Sequence, residues 1–372
     1  MGKQLRVTTR NTRFQEWEAL LGNRKKRNQV GGFLVQGVRP IDLALRHGWE
    51  FRDVLFDADR QLSEWARQVL ETSGADAYAV SRELMAELGE KDSDAPELLA
   101  VVSQPDASLG RVQAGPGFLG IVFDRPGSPG NLGSLIRSAD AFGADLVVTT
   151  GHGADPFDPR AVRASTGSLF STRVARGERP ADVAAWIAAQ SEPVRMVGTD
   201  EHGGHDIADE DLTGPTLLVI GQEAVGMSRA WQETVDTTVR IPIGGAASSL
   251  NAAAAGSIAL YEAARQRRLA VVQDGLGQRP PRLGQYLGPL GLGRLRRGPH
   301  GRLRLGHLVA QHVAFDELLT VLPAGEEVSG GREQRHIRPV QSAGERLGQL
   351  PRVPRLTQPF RDLLAFALEG GA

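Results

Sequence analysis

Phe118-Leu-Gly-Ile-Val-Phe-Asp-Arg-Pro-Gly-Ser-Pro-Gly-Asn131 opens on an apolar run and closes on a turn crowded with Gly and Pro. The run reads as a strand over 118–123. Gly and Pro then supply a sharp strand-to-helix turn. Asn131-Leu-Gly-Ser-Leu-Ile-Arg137 continues into a helix expected near Leu132–Ala141, with Asn131 close to its start and Arg137 less than two turns on. Open α/β sheets bind ligands at such strand ends. Taken alone, an Asn cap and a surface Arg account for both polar residues.

Two later segments follow the same plan. Ile220-Gly-Gln-Glu-Ala-Val-Gly226 ends a strand expected over Thr216–Ile220. Gly221 there lets a ligand approach the backbone closely. Glu223 is expected at a helix N-terminus, where a carboxylate is favoured, and a plain cap is the alternative. Ile241-Pro-Ile-Gly-Gly-Ala-Ala-Ser-Ser-Leu-Asn251 ends a strand over Thr238–Ile241 and opens a long Ala-rich helix over Asn251–Arg267. Capping explains Ser and Asn before that helix. It does not explain a loop built almost wholly of Gly, Ala and Ser, whereas close wrapping around a flat ligand does.

Working outward, strands over Leu146–Thr149 and Arg195–Val197 and a helix over Ala181–Ala189 complete a second α/β run, residues 115–270. Before it, residues 1–108 read as a small α/β domain. Its helices are Phe14–Leu21, one opened by Pro40, Leu62–Leu70, and Arg82–Leu88 after Ser81. Its strands are Gly32–Gln36, Val54–Phe56, Ala77–Val80 and Leu98–Val102. The polar stretch Pro105–Pro116 reads as a linker. Residues 271–372 read as an Arg/Gly/Pro-rich, poorly ordered tail, either a basic RNA-binding extension or sequence never selected to fold.

Composition narrows the chemistry. The 372 residues carry a formal net charge of -1, so no global nucleic-acid signal exists. Charge is local instead: Lys3, Arg6, Arg10, Arg13, Arg24, Lys25, Lys26 and Arg27 face only Glu16 and Glu18 within residues 1–30. That cluster suits phosphate contacts, or a solvated terminal arm. The chain has no cysteine, which excludes disulfides, Cys zinc sites, iron–sulfur clusters and a Cys nucleophile. No apolar stretch suits a bilayer span or a signal peptide, so a cytoplasmic location is expected. Gly115-Pro-Gly-Phe-Leu-Gly120 precedes a strand, so it lacks dinucleotide-binding geometry. Gly127–Ser134 lacks the Lys of a P-loop, and His202 and His205 with Glu201 and Asp206 read as an ordinary loop and not a metal site.

In order and spacing, the three polar segments resemble the motifs of the SpoU branch of RNA ribose methyltransferases, over about residues 118–268. Phe33-Leu-Val-Gln-Gly-Val-Arg-Pro40 in the first domain resembles that family's substrate-recognition domain. Residues 10–24, Asp124–Asn131 and Ser165-Thr-Gly-Ser-Leu-Phe-Ser171 resemble actinomycete members that confer antibiotic resistance by acting on 23S rRNA. The resemblance implies a trefoil knot (the SPOUT fold), a homodimer, RNA as partner and S-adenosylmethionine as methyl donor, with no metal. By motif it assigns Asn131, Arg137, Glu223, Ser249 and Asn251 to catalysis, and Thr199, Asp200, Gly221, Ile241 and Leu250 to the donor. Arg10, Arg13, Arg24, Lys25 and Arg39 become candidates for RNA contacts, exposed charge without a partner being the alternative for each. The implied activity is 2′-O-ribose methylation of rRNA. The alternatives are the same reaction on tRNA and a non-catalytic RNA-binding protein of this fold.

Overall fold

A computed structural model describes residues 4–90, 95–223, 225–246 and 249–277. Expectations about the tail beyond residue 277 lie outside the described residues.

The first half places β1 (Gln4–Val7), β2 (Gly32–Gln36), β3 (Phe51–Asp57), β4 (Asp76–Val80) and β5 (Leu98–Ser103) in one sheet, ordered β1-β4-β3-β5-β2. β1, β4 and β3 run parallel, and β5 is antiparallel to both β3 and β2. Helices α1 (Thr12–Gly22), α2 (Arg24–Val30), α3 (Val38–Arg46), α4 (Glu64–Thr72) and α5 (Arg82–Leu88) connect these strands. α1 starts where the Asn11 side chain accepts from the Arg13 and Phe14 N–H groups, and it buries Phe14, Trp17 and Leu20. α3 begins at Val38, so Pro40 lies within its first turn and does not open it.

The second half is a seven-stranded, wholly parallel sheet. Its strands are β6 (Leu119–Asp124), β7 (Leu146–Thr150), β8 (Arg173–Gly177), β9 (Arg195–Thr199), β10 (His205–Asp206), β11 (Thr216–Ile220) and β12 (Thr237–Arg240). Their order is β10-β12-β9-β11-β6-β7-β8. β6, β7 and β11 are buried along their whole lengths, as central parallel strands covered on both faces require. The helices are α6 (Pro129–Ala141), α7 (Pro159–Ser165), α8 (Pro180–Ala188), α9 (Arg229–Gln232) and α10 (Ala252–Gly277).

α6 lies very close to α7. A Cβ on Gly133 would sit 2.3 Å from the Ala161 carbonyl oxygen, so this glycine of the opening segment is a packing requirement. α10 lies across α6, joined by a 2.7 Å contact between the Ser138 and Ser257 hydroxyls. Arg267 anchors its other end by donating to the carbonyls of Leu212, Gly117, Phe118 and Gly214. Burial there pushes its guanidinium pKa below the ordinary value, which Asp145 partly offsets.

The two sheets share one hydrophobic cluster. Phe33 on β2 packs against Phe157 at a ring separation of 4.8 Å and against Phe170 at 6.3 Å. Arg27, only 1% exposed, crosses the same seam to Asp155 at 2.8 Å. The stretch read as a linker is packed as well. Leu109, Val112 and Ala114 are buried, and the Trp186 indole N–H donates to the Val112 carbonyl. α10 continues through Gly277, past the boundary expected at residue 270.

Candidate active site

The three polar segments converge on the C-terminal edge of the parallel sheet. A cleft of about 470 Å³ opens there, lined by Thr199 at the end of β9 and Asp200 after it, Gly221 and Glu223 after β11, Ile241 after β12, and Ser249 and Leu250 before α10. Gln222, Val225 and Ile243 line it too, as do Glu201 and His202, which the sequence reading left as an ordinary loop; each lies within two residues of one assigned to the site. Strand order places the loops together: β12, β9, β11 and β6 are successive neighbours, so four loop ends meet.

Neither Asn131 nor Arg137 lines this cleft, and the first segment reaches it through the contact of Asn131 with Glu223. Ser128 is the N-cap of α6, its hydroxyl accepting from the Asn131 N–H at 3.4 Å. Asn131 is therefore not a cap, and its side chain is free to donate to Glu223 Oε1 at 2.5 Å. Glu223 itself is not at a helix N-terminus as expected. Its segment reverses on itself, with Gln222 and Gly226 exchanging backbone hydrogen bonds of 3.0 and 2.9 Å and Gly226 taking a φ of +65°. The next helix, α9, starts only at Arg229.

Gly221 also has a different reason from the one its sequence suggests. A Cβ there would lie 2.1 Å from the main chain of Gly226 and Met227. The returning loop demands glycine whatever ligand lies beside it.

Asp124 was missed because nothing in its local sequence marks it. It is only 2% exposed and accepts from the Thr150 hydroxyl (3.1 Å), the Ser228 N–H (3.0 Å) and Arg125 Nε (3.1 Å). Arg125, at a strained φ of +49°, also donates to the Gly226 carbonyl. This pair clamps the end of β6 to the loop that carries Glu223.

Asn251 caps α10, its side-chain oxygen accepting from the Ala253 and Ala254 N–H groups at 3.0 and 3.2 Å. Arg137 projects from α6, is exposed, and forms no ion pair among the described residues; it does not line the cleft. Among the described residues no cluster of acidic, His or Cys side chains could hold a metal, and His205 pairs with Glu210 at 2.7 Å.

The N-terminal basic residues separate by role. Arg13 donates to Asp53 at 2.7 Å and lies over the Tyr78 and Trp17 rings. Burial opposes its charge, but Asp53 and Tyr78 outweigh that and raise its pKa. Arg24 donates to the Gly153 carbonyl at 2.8 Å. Burial lowers its pKa, Asp155 offsets this, and Arg176 and Arg27 add to it. Arg10 is exposed but paired with Glu87 and Glu18. Lys25 and Arg39 are exposed, with no ion pair among the described residues. The structure thus gives Arg13 and Arg24 protein partners that the sequence did not disclose.

Comparisons with known proteins follow this division. Residues 119–261 match the SpoU rRNA methylase family, and residues 11–100 match the SpoU L30e-like domain. A 23S rRNA (uridine(2479)-2′-O)-methyltransferase of Streptomyces viridochromogenes is 53% identical over 265 residues, covering 70% of this chain and 92% of that protein. The crystal structure of the SpoU methyltransferase AviRb from that organism, in complex with AdoMet, superposes with a TM-score of 0.68, covering 70% of this chain and 99% of that one. A 23S rRNA (guanosine(2553)-2′-O)-methyltransferase of Bacillus subtilis is 28% identical, covering 68% of this chain and 96% of that protein.

Proposed function

This chain belongs to the SpoU rRNA methylase family, and from that premise we propose that it methylates a ribose 2′-hydroxyl of 23S rRNA with S-adenosylmethionine as donor. The observation that carries the reading is the convergence of three sequence-distant loops on one cleft at the sheet's C-terminal edge.

The cleft residues fit the donor. Ile220, Ile241, Ile243 and Leu250 offer apolar walls to a purine, and Asp200, Glu201 and Glu223 offer acceptors to ribose hydroxyls and a cationic centre. A volume of about 470 Å³ suits a ligand of that size. Gly221, Ile241 and Leu250 hold the adenosine part through their main chain, with Thr199 and Asp200 beside it. When bound, the donor supplies an electrophilic methyl group on a sulfonium.

Everything else is positioning and charge control. Arg137, projecting free from α6, binds the phosphate next to the target ribose and stabilises the 2′-oxygen as its proton leaves. It either accepts that proton in a site the bound RNA has desolvated, or holds the alkoxide while solvent takes the proton. Asn131 fixes Glu223, Ser249 lines the cleft, and Asn251 holds the start of α10 beside it through its cap.

Residues 1–108 serve as the RNA-binding module and 115–270 as the catalytic half. The knot forms where the β12 loop and α10 return beside β11 and α6. Exposed Ile258, Tyr261 and Leu269 on α10 support a homodimer packed through that helix. No helix among the described residues is long and apolar enough to cross a membrane, in keeping with a cytoplasmic enzyme. The motif resemblance to actinomycete resistance enzymes extends this reading to a part in resistance to ribosome-directed antibiotics.

Labelled methyl donor incubated with the full chain and 23S rRNA, followed by mapping of the modified ribose, tests the reading. Arg137→Ala and Arg137→Lys should both lose transfer, because Lys cannot reproduce a planar bidentate contact. Full activity in Arg137→Ala with loss in Asn131→Ala would overturn the role given to Arg137.

A further inference from the structure

We propose that a second cavity, at the seam between the two sheets, binds one nucleotide of the RNA substrate with its base inward and its phosphate at the rim. The cavity measures about 400 Å³ and lies at the start of β8, away from the cleft. Its walls include Trp49, Phe157 and Phe170, and its polar lining includes Thr172, Arg111 and Arg173.

Three observations point to a nucleotide. The aromatic wall is held in place: the Trp49 indole N–H donates to the Phe170 carbonyl at 3.1 Å, and the two rings meet edge-on at 5.0 Å. Thr172 is only 6% exposed, and its hydroxyl has no hydrogen-bond partner among the described residues. Such a group normally finds a partner, and a base edge provides donors and acceptors for one. At the rim, Arg173 is exposed and has no ion pair among the described residues, while Arg111 stands 3.6 Å from Asp106.

Asp106 also accepts from the Ser108 N–H, so its carboxylate is divided between two donors and offsets the Arg111 charge only in part. A simple anion would leave the aromatic wall unused. An aliphatic ligand would leave the hydroxyl unpaired. A planar base with a phosphate uses all three features, as single-stranded nucleic acid does on aromatic platforms flanked by arginines.

A free nucleotide has the same chemistry, and the experiment separates the two sources. The proposal rests on RNA being the substrate. Loss of methyl transfer by the wild-type chain on every RNA would end that reading, whereas the binding measurements below need no turnover.

Full-length wild type, Arg173→Ala, Thr172→Val and Thr172→Ser are compared on transcribed 23S rRNA. Arg173→Ala should raise the RNA KM and Kd roughly tenfold and reduce the salt slope of binding by about one, with kcat and donor affinity unchanged. Thr172→Val should weaken RNA binding about threefold, and Thr172→Ser should restore it, at equal thermal stability. Ultraviolet cross-linking should place an RNA adduct on the peptide holding Trp49 or on that holding Phe170. Unchanged RNA affinity in Arg173→Ala and Thr172→Val, with adducts elsewhere, would overturn the proposal. So would calorimetric binding of uridine or adenosine monophosphate that Thr172→Val abolishes while RNA affinity stays the same.

Discussion

The cleft loops and the N-terminal basic segment both look like binding surfaces in sequence, and the fold treats them in opposite ways. The loops are far apart in the chain, yet Thr199, Glu223 and Ser249 meet around one cleft. The basic residues are close in the chain and scatter: Arg27 goes into the seam, Arg13 onto Asp53, Arg24 onto a carbonyl, and Lys25 out to solvent. Strand ends of a parallel sheet have nowhere to go but its edge, so their loops must gather there. A long arginine side chain takes whichever acceptor lies within reach, and folding brings many.

The strongest way to break this contrast is Arg27→Ala. It leaves Asp155 buried without its ion pair and should cost ~3–5 kcal/mol of stability, read by denaturant unfolding. Methyl transfer per folded molecule should hold, because the residue does not line the cleft. A near-neutral stability change would mean that the seam tolerates its charges as surface does.

Asn131→Ala should do the reverse. Losing the side-chain contact between α6 and Glu223 should lower kcat by roughly 100-fold. Stability should change by less than about 1 kcal/mol, since Ser128 carries the cap.

Asp124→Asn falls between the two regimes. It weakens the acceptor for Ser228, Thr150 and Arg125 together, and should cost about 1–3 kcal/mol and lower kcat about tenfold as the Glu223 loop loosens. Equal effects on KM for donor and RNA, with kcat intact, would remove Asp124 from the positioning of that loop.

The smallest effect belongs to Lys25→Ala, which should shift the salt dependence of RNA binding by about one counterion with little change in stability. Arg13→Ala should leave that slope alone and instead lower the melting temperature, because its partners are Asp53 and two aromatic rings. A slope change in Arg13→Ala without destabilisation would show that its protein contacts yield to RNA.

Much of the fold was legible because buried parallel strands are continuous apolar runs. Thr216–Ile220 has the bounds its sequence suggests. β8 was not read, because Arg-Val-Ala-Arg-Gly at a sheet edge exposes its arginines and shows no long apolar run. α2 was not read for a similar reason: Arg-Lys-Lys-Arg-Asn-Gln-Val has no apolar face, and its hold on the fold comes from the buried Arg27. In the candidate site, residue types and spacing identified the loops but not how they close. Glu223 was expected to gain from a helix dipole, and it gains from Asn131 instead, across 92 residues of chain.

Sequence by itself determined the alternation of strands and helices, the three loops and the chemistry they bring, since apolar periodicity and turn residues are local properties. Tertiary structure alone decided which polar residues are free. Ser128 relieves Asn131 of capping, Asp155 takes Arg27, and the return of the Gly226 loop claims the space at Gly221. These outcomes depend on which acceptors and backbones come within a few ångströms, and only the packed chain brings them there.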